Sequence, residues 1–118
     1  MDEKTFKART KKLAVAIIQE VDKLPYGLAS NVIGKQLIRS GTSIGANYRA
    51  ACRAKSTADM INKMKTVEEE SDETEYWLEL LVEANLVRQD QIANIYKETD
   101  EILFMTVASI KTLRNRKS

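Results

Sequence analysis

The sequence predicts an all-α fold, an up-down-up-down antiparallel four-helix bundle, on three observations. Glu, Lys, Ala, Leu and Ile dominate, a helix-forming mix with one proline, four glycines and no Asn-Gly or Asp-Gly hairpin signal. Apolar residues recur at helical spacing in four successive segments. Connections of roughly two to five residues favour antiparallel neighbours. A length of 118 residues and an apolar content of 43% suit one domain, residues 1–118, with a single core and no flexible linker.

The first segment places Phe6, Leu13, Ile17, Val21 and Leu24 on one face, and "LPYG" ends it with Pro25 and Gly27. The second runs from about Ala29 to Ala54. The third opens at "STAD", where Ser56 can cap and Asp59 follows three residues on, close to a capping box. Its stripe is Met60, Met64, Val67, Ser71, Thr74, Leu78 and Leu81, all within about 80° of one face. The fourth starts near Asp90, whose carboxylate can cap it, and carries Ile92, Ile95, Thr99, Ile102, Thr106, Ile110 and Leu113. The hydroxyls inside these stripes are expected to bond the carbonyl one turn back, with a functional polar channel as the alternative.

The passage "RSGTSIGANYRAACRAKS", residues 39–56, holds two glycines and four bases with no acid. On a helical wheel its neighbourhood sorts into four arcs. Ile33, Leu37, Ile44, Tyr48 and Ala51 form a core arc; Gly34, Gly41, Gly45 and Cys52 form a small-residue arc. Lys35, Arg39, Arg49 and Arg53 form a basic arc, and Gln36, Ser40, Ser43 and Asn47 a polar flank. Such sorting predicts a helix, with a possible loosening at Gly41. Ser43 and Asn47 are expected to satisfy backbone groups rather than to act in catalysis.

A glycine inside a helix costs up to about 1 kcal/mol relative to alanine, so three on one stripe imply that another backbone approaches closely. That backbone belongs to the same bundle or to another subunit. Because the core arc is separate, a subunit contact through Gly34, Gly41 and Gly45 is expected. Trp77, at the edge of the third stripe, reads either as a core margin with its indole N–H on a partner or as a second interface anchor.

Charge is unevenly distributed although the net value is only +2. Residues 23–58 carry six bases and no acid, whereas residues 59–101 carry thirteen acids and four bases. That pattern fits either a nucleic-acid face on Lys35, Arg39, Arg49 and Arg53 or a basic helix packed beside an acidic one. Arg39 borders the polar flank and can instead pair with a carboxylate of the third helix.

Several chemistries lack their residues. There is no histidine, which removes the usual base for a Ser or Cys nucleophile and the Glu-x-x-His ligands of a di-iron bundle. Among the acids of the third helix only Glu68, Glu75 and Glu79 share a flank of the core stripe, and pairing with Lys or Arg of a neighbouring helix is expected over a metal site. "GKQ" lacks the rest of a phosphate loop. The lone Cys52 cannot form an internal disulfide and reads as a packing residue in a reducing compartment. No apolar core follows the charges of "MDEKTFKARTKK", and the apolar runs are too short to span a bilayer. The expectation is therefore a soluble cytoplasmic protein with no membrane association, no metal, no cofactor and no enzymatic activity.

"GKQLIRSGTSIGANYRAACRAKS" followed by "EEESDETEYWLELL" resembles the four-helix-bundle proteins encoded within intervening sequences of bacterial 23S ribosomal RNA genes. The likeness rests on the Arg39–Ser43-Ile44–Asn47 run and on Glu75-Tyr76-Trp77-Leu78, and it spans nearly the whole chain. Where that family commonly has an acid three positions after the Asn, this chain has Ala50. The resemblance implies an up-down bundle and a homopentameric ring. The accessory proteins of diversity-generating retroelements are similar pentamers, thought to hold nucleic acid with a reverse transcriptase. The resemblance supplies no activity. The expected function is a ring-forming bundle whose basic arcs contact RNA or DNA phosphates; the rival is a protein-interaction scaffold.

Overall fold

Four helices follow one another in the computed structural model, which describes residues 2–116: α1 (Glu3–Val21), α2 (Leu28–Cys52), α3 (Thr57–Glu83) and α4 (Gln89–Arg116). Local chemistry sets their ends. Asp2 caps α1 by accepting from the Thr5 amide at 3.1 Å and the Thr5 hydroxyl at 2.7 Å. Ser56 caps α3 by accepting from the Asp59 amide at 3.1 Å, while the Asp59 carboxylate accepts from the Lys55 amide at 3.2 Å. Asn85, at φ 61°, ends α3: its N–H donates to the Val82 carbonyl at 3.0 Å and that of Leu86 to the Leu81 carbonyl at 2.9 Å. This is a Schellman closure, and an amide side chain tolerates the left-handed position. At α4 the expectation fails. Asp90 lies inside the first turn and pairs with Arg88, and Gln91 instead accepts from the Arg88 amide at 2.7 Å. α2 runs unbroken through Gly41.

Each helix packs on the next and α1 closes on α4, whereas the backbones of the diagonal pairs stay more than 8 Å apart. The α1/α2 side is therefore opposite the α3/α4 side of a bundle 51 × 20 × 20 Å in extent. The core is built from Phe6, Leu13 and Ile17; Leu37, Ile44 and Tyr48; Met64, Val67, Leu78 and Leu81; and Ile92, Ile102 and Ile110. Arg9 closes the α1/α4 seam. Its guanidinium donates to Glu98 at 2.9 and 2.7 Å and to Glu101 at 2.9 Å. That bidentate pairing holds the Glu98 carboxyl below its ordinary range.

The buried hydroxyls behave as their spacing predicts. Ser71, Thr74, Thr99 and Thr106 donate to the carbonyls of Val67, Glu70, Ile95 and Ile102, all at 2.7–2.8 Å. Thr74 Oγ1 is also 2.9 Å from Ser40 Oγ, a hydroxyl pair that ties α2 to α3 within the core.

The glycine stripe requires a correction. A Cβ on Gly34 would lie 3.1 Å from Val21 Cγ1, one on Gly41 2.5 Å from Ile17 Cδ1, and one on Gly45 3.0 Å from Thr10 Oγ1. The close approach inferred from Gly34, Gly41 and Gly45 is real, but its partner is α1 of the same chain. Gly34 and Gly41 are buried against α1, and Gly45 is half-buried at the α1/α2 seam.

A candidate nucleic-acid interface

Of the four bases on the α2 arc, Arg39 is already engaged. Its guanidinium is 3.2 Å from Glu70 Oε1, pairs with Glu73, and donates to Gln36 at 3.0 Å. Glu73 in turn accepts the Trp77 indole N–H at 2.9 Å. Trp77 thus packs half-buried against the core edge with its polar atom satisfied, and the exposed ring is that of Tyr76, set edge-on at 5.1 Å.

Lys35, Arg49 and Arg53 are exposed and form no ion pair among the described residues. Because Gly45 packs on Thr10, the basic arc of α2 runs beside α1. A groove of about 500 Å3 lies along this seam, with Thr10, Ala14, Thr42, Gly45 and Ala46 as floor and Lys7, Lys11 and Arg49 as rim. The floor is shallow because its side chains are small. Lys7 pairs with Glu3 at 3.0 Å, whereas exposed Lys4 and Lys11 have no such partner among the described residues. Lys35 continues the cationic line about 21 Å from Arg49 at 1.5 Å per residue. The α1 cations escaped the sequence reading. Their signal was the spacing of Lys4, Lys7 and Lys11, which puts all three on one side of α1.

Ser43 and Asn47 are structural: Ser43 donates to the Arg39 carbonyl at 2.6 Å and Asn47 to the Ser43 carbonyl at 2.8 Å. Cys52 is half-buried, and burial raises its thiol pKa.

The opposite face is acidic. Among the described residues Glu68, Glu75 and Glu79 form no ion pair with Lys or Arg, contrary to expectation. Glu79 accepts the Tyr96 hydroxyl at 2.6 Å. Glu75 is 8% exposed, interacts with Asp100, and leaves its Oε2 without a hydrogen-bond partner. Burial, then the Asp100 carboxylate, push the Glu75 pKa up to about 8. Among the described residues no group of three or more His, Cys, Asp or Glu is placed to hold a metal ion.

A pH effect follows. The native chain keeps the Glu75 proton to about pH 8, whereas an unfolded glutamate releases it near 4.3. The stability Glu75 contributes is complete below that unfolded value and is lost as pH rises through 8. Glu98, held low, acts in acid, and Tyr48 and Tyr96, both raised, act in stronger alkali. Melting between pH 5 and 8.5 should therefore fall in the wild type and stay flatter in Glu75→Gln. Parallel curves would refute this assignment.

No helix of the described residues is long and apolar enough to cross a membrane. Residues 4–108 match the sequence model of the family described as 23S rRNA-intervening sequence protein. The chain belongs to that family. The 23S rRNA-intervening sequence match takes in the groove cations, Glu75 and Asp100. A crystal structure of a protein of unknown function from the S23 ribosomal protein family of Bacteroides thetaiotaomicron is 39% identical to this family member and superposes with a TM-score of 0.86, over 94% of this chain and 99% of that one. No curated protein matches the chain.

Proposed function

We propose that the chain is a non-enzymatic, oligomeric bundle that holds RNA or DNA by its phosphates along the α1/α2 groove. The observation that carries this reading is a set of cations that form no ion pair among the described residues: Lys11 and Arg49 on the rim of a groove with a small-residue floor, with Arg53 and Lys35 exposed along the same arc of α2. Arg offers a fork to phosphate oxygens, and no aromatic lines the groove to stack a base, so sequence preference is weak. Arg39 has no part in it, since Glu70 and Glu73 already neutralise it. The family resemblance supports a homopentamer, which would repeat the groove on every subunit. Leu28, Val32 and Tyr76 are exposed apolar side chains available for such assembly, and they take over from the glycines beside the Trp77 edge.

The test is fluorescence anisotropy with unrelated single strands across salt, on protein whose mass is known from light scattering. Affinity is expected to fall with salt at a log–log slope of roughly −0.7 per phosphate neutralised. Changing Lys11 and Arg49 together to Ala should weaken binding about tenfold or more for every sequence and flatten that slope by roughly 1.4. Absent binding at low salt, or an unchanged double variant, would leave the scaffold reading. That alternative has its own support in Phe104, 76% exposed on α4 beside exposed Val107.

A further inference from the structure

A buried carboxyl with an unpartnered oxygen is costly unless something completes it. Glu75 is in that position, and the groups around it make matters worse. Asp72 and Glu79 act on it from α3 and Asp100 from α4, and all are acidic. Tyr96 is near enough to feel Glu75, but its hydroxyl already donates to Glu79. One turn further along the same seam lies a hollow of about 460 Å3. Val82, Ile92 and Ala93 give it apolar walls, Glu79 and Glu83 an acidic rim, and Lys97 its only cation.

We propose that the α3/α4 seam is a binding site for an aliphatic ammonium, with the charged head on Glu75 and Asp100 and the methylene chain in the adjoining hollow. An ammonium carries three donors on a compact charge and needs no fixed coordination polyhedron. A metal ion is the poorer match, because no group of three candidate ligands converges among the described residues. The apolar walls also have no use for a bare ion, whereas they suit a chain of CH2 groups. Such a head supplies the donor that Glu75 Oε2 lacks and lets Glu75 ionise beside Asp100. Two sources share this chemistry: a free linear diamine, and the lysine of a second copy of this chain.

The experiment titrates 1,5-diaminopentane, with MgCl2 at equal concentration as the control for plain charge screening, into wild type and Glu75→Gln. Glutamine keeps the volume but carries no titratable proton, and circular dichroism verifies that it folds. The diamine should raise the melting temperature at pH 8.5 where Mg2+ does not. Binding should strengthen up to about tenfold per pH unit below 8, because Glu75 must give up its proton. Glu75→Gln should abolish the response while leaving nucleic-acid binding on the opposite face intact. A diamine response matched by Mg2+, or retained in Glu75→Gln, overturns the site. If the diamine has no effect, sedimentation decides the source. Self-association lost in Glu75→Gln assigns the ammonium to a lysine of the second copy, and the absence of both responses overturns the proposal.

Discussion

Replacing Phe6 with alanine is expected to cost about 3–5 kcal/mol, the usual range for emptying a buried phenyl site. Phe6 is fully buried and sits edge-on to Tyr48 with ring centroids 4.5 Å apart. The cavity would open between α1 and α2, whose backbones are already in close approach and cannot collapse further to fill it. At on the order of 4 °C per kcal/mol for a domain of this size, the melting temperature should fall by roughly 12–20 °C. Thermal unfolding followed by circular dichroism checks this, and a fall of under about 3 °C would show that the α1 end is not part of the cooperative core.

Gly41→Leu should also destabilise, by less and for the opposite reason. The first added carbon alone would lie 2.5 Å from Ile17 Cδ1, and Ile17 is itself fully buried. Overpacking of this kind costs about 1–3 kcal/mol and sometimes more, against a helix-propensity gain of about 0.8 kcal/mol. Leucine would lever α1 off α2, so α1 amides should lose exchange protection first. Gly41→Ala is the control: the conflicting atom is the end of a flexible side chain that can turn aside, so its effect should be small. A Gly41→Leu protein that melts like wild type but loses oligomer mass would return the stripe to a subunit contact.

The core was legible because a helix repeats every 3.6 residues and burial follows that repeat. Met64, Val67, Leu78, Leu81 and Ile102 are all buried where their stripes put them, and the stripe hydroxyls found their own carbonyls. What crosses a seam was not legible. A wheel gives the direction in which Gly41 points but not which helix stands there, so α1 was mistaken for another subunit. Glu75 was assigned a cation for the same reason: nothing along α3 says that Asp100 would face it. Arg39 was resolvable only in part, since its arc bordered the flank toward α3. The Asp90 cap failed because α4 begins at Gln89, which puts Asp90 inside the first turn, and the Arg88 amide before it is met by Gln91. The groove was half seen, as its α1 rim is composed of lysines that look like ordinary solvated charges until Arg49 is set beside them.

The separation of charge across the bundle also governs what a filled complex would look like from outside. A flexible polybasic tail neutralises a phosphate strand and leaves it without net charge, a condition that favours collapse and precipitation. This bundle would cover the strand with α1/α2 and turn Asp72 and Glu79 of the far side outward. A coated strand would remain negative, at a larger radius and with protein rather than phosphate at its surface. Further copies would then meet a skin of carboxylates instead of bare nucleic acid, so a single layer is the natural end of loading and the particle stays dispersed.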